Sequence, residues 1–164
     1  MSANRYHVQS LGTKEDAANI TAFFLSDRSF DDTRHTPGEV EHFRNHPLRA
    51  LDGDYVYRYV ACEKDGIIGV NSFMENEQRT GGYYWDYIVV HKAYRKDGIG
   101  SLLIEDMITL LRGRGARYII TYTCDLDSYM PIRRLFERHG FEVAGRMKDY
   151  YFEGEDRLVY YLKL

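Results

Sequence analysis

At 164 residues, the chain is long enough to bury one hydrophobic core without disulfide bonds or metal ions. A hydrophobic content of 44% excludes intrinsic disorder, and a formal net charge of −3 disfavours a general nucleic-acid-binding protein, which would normally be basic. No apolar run is long enough to cross a membrane and no segment resembles a signal peptide, so we expect a cytoplasmic protein that does not act at membranes. Cys62 and Cys124 lie in strand-like runs without paired spacing, which indicates reduced core thiols.

The first third of the chain is predicted to hold one strand and two helices. Alternating apolar residues favour a strand over residues 6–11, and Thr13 is expected to cap a helix that starts just after it. A second helix starts after Thr36, with Pro37 in its first turn and Glu39 completing a capping box. Pro47 is expected to end this second helix.

The middle of the chain reads as three antiparallel strands, over residues 55–62, 67–74 and 83–90. A helix over residues 100–112 and a buried strand over residues 118–123 follow. The chain then forms a helix over residues 130–139 and two closing strands, over residues 141–151 and 157–163. No linker divides this series, so a single domain over residues 1–164 is predicted.

The stretch that follows the third antiparallel strand has the character of an anion site. The apolar strand ending in Val89-Val90 runs into a turn with Arg95, Lys96, Gly98 and Gly100, and an apolar helix starts there directly. Glycines let a ligand approach the backbone, and the amides of the first helical turn attract negative charge. The spacing fits neither a P-loop, which needs Lys-Ser/Thr after its last glycine, nor a dinucleotide loop, which needs a third glycine.

The pattern R-x-x-G-x-G after Val89-Val90 closely resembles the acyl-CoA pyrophosphate loop of the GNAT superfamily of N-acyltransferases. The segment Pro131–Phe141 is similar to the late helix of that family and its Gly-Phe exit. The resemblance covers essentially the full chain and implies an α/β (α+β) fold. Its mixed, mostly antiparallel twisted sheet would have about seven strands, splayed between strands 4 and 5 and flanked by about four helices.

The resemblance also implies acetyl-CoA as cosubstrate, with no metal ion. The backbone of Ile88, Val89 and Val90 would pair with the pantetheine amides, as an added strand does. The pyrophosphate would be held by the turn, and the residues implied are Arg95, Lys96, Asp97, Gly98, Ile99, Gly100 and Ser101.

Two proton transfers would accompany the reaction, and the sequence offers a candidate for each. Asp86, among aromatic neighbours, is a candidate general base; it could equally be a solvated aspartate or the partner of an arginine. Phe136 occupies the position where superfamily members often have a tyrosine that acts as the acid. Tyr129 could replace that acid or contact CoA, or simply pack at a helix start, while Tyr150 and Tyr151 are weaker alternatives that could line the amine pocket.

Other polar residues favour structural roles. His42 and His46 have the spacing of zinc ligands, but without a third ligand we expect a solvated helix face and no metal site. Cys124 has no histidine beside it in the sequence and is expected to be structural. The acidic run Glu153, Glu155 and Asp156 is expected to be a solvated turn, which could also attract a cationic amine.

The sequence therefore predicts a cytoplasmic N-acetyltransferase that transfers the acetyl group of acetyl-CoA to a primary amine of a small molecule or amino acid by direct attack. A non-catalytic acyl-CoA sensor and a peptide or protein N-terminal acetyltransferase are the alternatives. The tail from Asp149 to Tyr160 is similar to that of bacterial GNAT proteins, which indicates a bacterial source. The resemblance also admits a homodimer.

Overall fold

A computed structural model describes residues 5–31 and 34–164. Within these residues the chain forms four helices and seven strands. The helices are α1 (Lys14–Phe24), α2 (Pro37–Arg49), α3 (Ile99–Gly113) and α4 (Met130–Arg138). The strands are β1 (Gln9–Ser10), β2 (Val56–Cys62), β3 (Gly66–Glu75), β4 (Gly82–Val90), β5 (Tyr118–Cys124), β6 (Glu142–Phe152) and β7 (Glu155–Lys163).

The strands form one sheet in the order β1-β2-β3-β4-β5-β7-β6. The pairs β1/β2, β2/β3, β5/β7 and β6/β7 are antiparallel, whereas β4 and β5 are parallel. The parallel register runs from Gly82↔Tyr118 to Trp85↔Thr121, and β4 continues to Val90. The predicted mixed, mostly antiparallel sheet is confirmed, and its parallel pair is the one at which the resemblance predicts an opening.

Two compact units alternate along the chain. The first comprises residues up to Phe73 together with Tyr87–Asp106, and its core includes Phe24, Phe43 and Val89. On a second cluster of this unit, the start of α3 packs closely against β3 at Gly69. A Cβ at Gly69 would lie 2.6 Å from the Cγ2 atom of Ile99, so only glycine allows this contact. The start of α3 is therefore fixed to the sheet.

The second unit comprises Met74–Asp86 and Met107–Leu164. An aromatic core packs Phe136 against Trp85 and Tyr160, with ring centroids 5.1 and 5.2 Å apart. The hydroxyl of Thr121 donates to the carbonyl of Trp85 at 2.9 Å, which adds a side-chain bond to the parallel pair. Tyrosine at position 136 would bring a hydroxyl into this core, where phenylalanine is fully compatible.

Both predicted helix caps are present and both are capping boxes, although the box was predicted only for the second helix; two boundaries differ from prediction. Thr13 and Thr36 each accept a bond from the third helical amide of their helix. Pro47 does not end α2, which continues to Arg49: the proline forgoes only its own amide bond, and the amide of Ala50 still donates to the carbonyl of His46. The first strand is shorter than predicted, because only Gln9 and Ser10 pair with β2, although Tyr6 and Val8 pack against the second cluster.

Candidate active site

A basic turn between β4 and α3 builds the first candidate site. A short 3₁₀ helix over Lys92–Tyr94 leads to Gly98, whose φ of 78° is left-handed. The amide of Leu102 donates to the carbonyl of Gly98 at 3.0 Å, so this is the first bond of the α3 ladder. The three amides before Leu102 are first-turn donors without a helical acceptor, and no atom outside the neighbouring residues lies within 4 Å of a Cβ built on Gly98. This open, positive helix start can hold an anion.

Arg95 holds the turn in place. Its Nη2 atom donates to the carbonyl of Ser29 at 2.8 Å, and its Nε atom donates to the carbonyl of Val90 at 3.3 Å. Its Nη1 atom pairs with Asp31. The guanidinium group thus ties the turn to the segment after α1, and its predicted role at the pyrophosphate stays a prediction.

Two further contacts anchor the same turn. The hydroxyl of Tyr94 donates to Asp65 at 2.6 Å and lies 3.4 Å from the Sγ atom of Cys62. The bond to Asp65, followed by that to Cys62, raises the pKa of Tyr94 well above its usual range, so this hydroxyl stays protonated as a donor. The amide of Lys92 donates to the carbonyl of Arg28 at 2.8 Å. The turn is therefore fixed on the side of the β2–β3 hairpin and on the side of the segment that follows α1.

The strand residues predicted to pair with pantetheine present their backbone rather than their side chains. Val89 is buried in the core of the first unit, and Ile88 and Val90 pack against the second cluster of that unit. Their side chains are consequently committed to packing, which leaves the main chain for a ligand. The carbonyl of Val90 accepts a bond from Nε of Arg95 at 3.3 Å.

His91 follows this strand and is almost fully buried. Its Nδ1 atom accepts a bond from the amide of Ala93 at 3.1 Å, which caps the 3₁₀ helix, and its ring stacks on Phe23. Because Nδ1 is an acceptor in a neutral imidazole, the proton belongs on Nε2, a buried atom without a partner in the described part of the chain. The His91 ring thus packs on Phe23 and caps the 3₁₀ helix at the start of the basic turn.

The second unit contains a candidate site of its own, an aromatic cluster around Tyr122. The ring centroid of Tyr84 lies 6.4 Å from that of Tyr122, and the guanidinium carbon of Arg157 lies 3.4 Å from the Tyr122 centroid. The same guanidinium carbon lies 4.4 Å from the centroid of Tyr150 and 5.9 Å from that of Tyr151. Burial raises the pKa of Tyr122, and the positive charge of Arg157 opposes that rise.

A bulge in β6 brings its two tyrosines to this cluster. The register between β6 and β7 shifts between Met147 and Phe152, and Asp149 in that stretch has a left-handed φ of 52°. Aspartate tolerates this conformation because its side chain can bond locally, and here Oδ1 accepts from the amide of Gly154 at 2.7 Å. The bulge thereby re-aims Tyr150 towards Arg157.

Asp86 lies near this cluster, but its side chain is not buried among the aromatic residues that flank it in the sequence. Its negative charge acts on Tyr122, yet Asp86 itself is exposed. Of the alternatives that the sequence leaves open, the structure favours a solvated aspartate, because Asp86 is exposed while the adjacent Trp85 is buried. The role of Asp86 as a base stays a prediction. A solvated carboxylate can still accept a proton from an ammonium group directly or through water.

Tyr129 forms the end of a short 3₁₀ helix, Asp127–Tyr129, and precedes α4. Its side chain is partly buried and does not cap the helix. Arg133 of α4 is buried and donates from Nη1 to the carbonyls of Cys124 and Leu126, both at 2.9 Å, which fixes the connection that carries Tyr129. The predicted contact of Tyr129 with CoA and its role as an acid stay predictions.

The histidines of α2 are not on a solvated face, contrary to prediction. His42 and His46 stack on each other with centroids 4.3 Å apart, and the buried hydroxyl of Tyr57 lies 3.3 Å from Nε2 of the first and 3.0 Å from Nδ1 of the second. The hydroxyl has a single proton, so it donates to one imidazole and accepts from the other. In the described residues no group of three potential ligands could hold a metal ion, and Cys124 is a buried thiol whose pKa is raised by burial.

The acidic turn is also partly wrong as a solvated feature. Asp156 is buried, with Oδ2 accepting from Nε of Arg146 at 2.5 Å and Oδ1 accepting from the amide of Asp149 at 2.9 Å. The hydrogen bond from the amide of Asp149, followed by the one from the guanidinium of Arg146, holds the pKa of Asp156 below its usual range. Arg146 also donates to Asp125 at 2.7 Å. Asp156 is therefore a structural anchor of the β6–β7 hairpin.

Sequence reasoning assigned no role to Arg157 or Tyr122. The available signal was an arginine directly before the apolar run Leu158–Leu162, close to the tyrosine pair at 150 and 151.

None of the helices in residues 5–31 and 34–164 is both long and apolar enough to cross a membrane.

Comparisons with known proteins identify the family to which the chain belongs. A family model described as Acetyltransferase (GNAT) family matches residues 19–141. The curated N-alpha-acetyltransferase 30 of Schizosaccharomyces pombe is 30% identical over 120 residues, which span 66% of this chain and 79% of that protein.

Solved structures share the fold. A GNAT-family protein from Desulfovibrio desulfuricans superposes with a TM-score of 0.83 at 22% identity, covering 96% of this chain and 98% of the other. An aminoglycoside 6'-N-acetyltransferase in complex with coenzyme A gives a TM-score of 0.76 at 13% identity, covering 96% of each chain. At such identities these likenesses show the fold alone.

Proposed function

Because this chain belongs to the acetyltransferase (GNAT) family, we propose that it transfers the acetyl group of acetyl-CoA to a primary amine of a small molecule or amino acid. The observation that carries the proposal is the open helix start at Gly98, where first-turn amides are available to an anion. A diphosphate suits such a site because backbone amides and the helix dipole both favour negative charge there. The related structure in complex with coenzyme A supports the choice of donor.

Four sets of residues take part in the proposed donor site. The backbone of residues 88–90 pairs with the pantetheine amides, and Lys96 adds a positive charge to the turn. The amides of residues 96 and 98–101 bind the pyrophosphate, whereas the amide of Asp97 donates to the carbonyl of Tyr94 at 3.1 Å. Arg95 keeps the turn in its binding conformation through Ser29. Tyr129 contacts CoA from the start of α4.

In the reaction, the amine nitrogen forms a bond to the thioester carbonyl carbon and the carbon–sulfur bond breaks. The nitrogen must lose protons, which Asp86 accepts directly or through water. The thiolate leaves with the sulfur electron pair and takes up a proton from Tyr129 or from solvent. Orientation of thioester and amine supplies much of the acceleration.

A second enzyme candidate follows from the curated relative, which is an N-alpha-acetyltransferase. In that case the acceptor would be the amino terminus of a peptide or protein. A non-catalytic acyl-CoA sensor is the candidate of another class, and it is motivated by the buried Phe136, which has no proton to donate.

One experiment separates these candidates. Purified protein is incubated with acetyl-CoA and a panel of small amines, free amino acids and short peptides, and both the released thiol and the acetylated product are measured. We expect acetylation within the small amines and amino acids. Acetylation confined to peptides would favour the N-terminal acetyltransferase, and tight CoA binding without any acetylated product would favour the sensor.

A further inference from the structure

Arg157 has no ionic partner in the part of the chain that the structure describes. It lies on β7, partly buried, and in the described residues its guanidinium group has no hydrogen-bond acceptor and no carboxylate partner. Its Nε atom is fully buried and unpaired. An unpaired buried donor is costly, so the arrangement needs a reason other than folding.

Two tyrosine rings contact the guanidinium group of Arg157, and no acceptor in the described residues bonds its N–H donors. Tyr122 and Tyr150 contact the guanidinium as cation–π partners, with centroids 3.4 and 4.4 Å from its central carbon. Stacking uses the flat faces of the group, whereas its N–H donors all point outward in the plane. The tyrosines thus restrict the motion of the fork while its hydrogen-bonding edge remains unpaired.

Arg146 in the same unit shows the opposite situation. It is held between Asp125 and Asp156, at 2.7 and 2.5 Å, and its bonding capacity towards carboxylates is used within the protein. Asp156 directly precedes Arg157 in β7. Because successive side chains of a strand point to opposite faces of the sheet, these two side chains lie on opposite faces. Asp125 and Asp156 are therefore both paired with Arg146.

We propose that Arg157, in contact with Tyr122 and Tyr150, binds a carboxylate of the acceptor, so that the substrate is an amine that also carries a carboxylate, as a free amino acid does. A planar guanidinium edge matches the two oxygens of a carboxylate. The inference deepens the proposed function and rests on it.

The charges around Tyr122 fit a zwitterion better than a phosphate. Asp86 and Arg157 act on the pKa of Tyr122 with opposite signs, and the guanidinium carbon of Arg157 lies 3.4 Å from the Tyr122 ring centroid. The ammonium of an amino acid is attracted to Asp86 while its carboxylate pairs with Arg157. A doubly charged phosphate would be repelled by Asp86.

The test compares free L-amino acids with their amides, which keep the amine and remove the carboxylate charge. For each pair, kcat/KM is measured with wild-type protein, Arg157→Gln and the control Arg138→Gln, which removes a positive charge from an exposed position on α4. The intrinsic difference in reactivity between acid and amide cancels when variants are compared. Arg157→Gln is expected to lower the acid-to-amide ratio about 10- to 100-fold, mainly through KM, because a charge-assisted pair is lost.

Arg157→Lys should recover only part of the ratio, because ammonium keeps the charge without the fork. The melting temperature of each variant identifies loss of fold. An unchanged ratio in folded Arg157→Gln, equal to that of Arg138→Gln, overturns the carboxylate subsite and leaves the acetyltransferase intact.

If the wild-type protein acetylates no acceptor, the proposed function fails, and binding decides the subsite separately. N-acetyl-L-amino acids and their amides are then titrated by calorimetry against wild type and Arg157→Gln. Tighter binding of the acid that is lost in the variant supports the subsite, and equal binding of acid and amide refutes it.

Discussion

Gly98→Ala is the sharpest perturbation of the proposed donor site. Gly98 has a φ of 78°, and a Cβ built on it meets no atom within 4 Å beyond its chain neighbours. In the free protein the added methyl group therefore clashes with nothing, and its effect on folding is confined to backbone strain. In the CoA complex the same methyl group points into the space where the resemblance places the pyrophosphate.

Gly115 provides a matched control for that strain. It follows α3, has a φ of 74° and is exposed, and a Cβ built on it likewise meets nothing within 4 Å. A left-handed conformation costs a residue other than glycine about 1–2 kcal/mol, partly offset because alanine restricts the unfolded chain. Both variants should thus lose about 1 kcal/mol of unfolding free energy, which lowers the melting temperature by about 2–4 °C in a chain of this size.

The two variants should differ in CoA affinity. Displacing the pyrophosphate from one or two amides removes charge-assisted hydrogen bonds worth about 1.5–3 kcal/mol each, so Gly98→Ala should weaken CoA binding by at least tenfold. Gly115→Ala should bind CoA as wild type does. Calorimetric titration with CoA and thermal unfolding measure both quantities, and equal affinities in the two variants would refute the assignment of the turn.

Three further predictions concern charged and proton-transferring residues. Lys96→Gln should weaken CoA binding, reduce its salt dependence and leave the melting temperature unchanged, whereas Arg95→Gln should lower the melting temperature as well; the same unfolding profile for both would contradict the anchoring role of Arg95. Asp86→Asn should lower kcat about 100-fold near neutral pH, with a defect that shrinks as rising pH deprotonates the amine, and Tyr129→Phe should lower kcat less; a pH-independent rate in both argues against the proton roles. Asp156 has a folded pKa below its usual value of about 3.9, so its stabilisation is complete above that value and is lost as pH falls through the lower folded pKa. Asp156→Asn should therefore have a lower melting temperature at pH 7 but a flatter decline below about pH 4, and parallel declines in both proteins would exclude this carboxylate as the cause.

Local signals in the sequence were sufficient for most of the fold. Capping at Thr13 and Thr36 depends on residues three positions apart, and the β2–β3 turn depends on a glycine with a left-handed φ at position 66. The glycine-containing turn was readable for the same reason, since strand, basic residues and helix follow one another directly. Pro47 misled because its effect depends on how many helical bonds remain after it, which is a property of the helix end.

The chemistry of the second unit was less readable because it depends on contacts between distant strands. The bulge at Asp149 and the pairing of Cys124 with Arg157 bring β5, β6 and β7 together around Tyr122. Neither the stacking of Arg157 nor the exposure of Asp86 follows from the residues beside them in the chain. His42 and His46 show the same limit, because the partner that buries them, Tyr57, comes from a strand.

The central claim is that this protein acetylates an amine with acetyl-CoA as donor. The most direct measurement incubates the purified protein with acetyl-CoA and the acceptor panel, then detects the acetylated product by mass spectrometry alongside thiol release. We predict equal amounts of acetylated amine and free CoA. At acetyl-CoA concentrations well below KM, the rate of formation of both should fall at least tenfold in Gly98→Ala and stay at the wild-type rate in Gly115→Ala. CoA binding at the turn without acetylated product from any amine would contradict the claim.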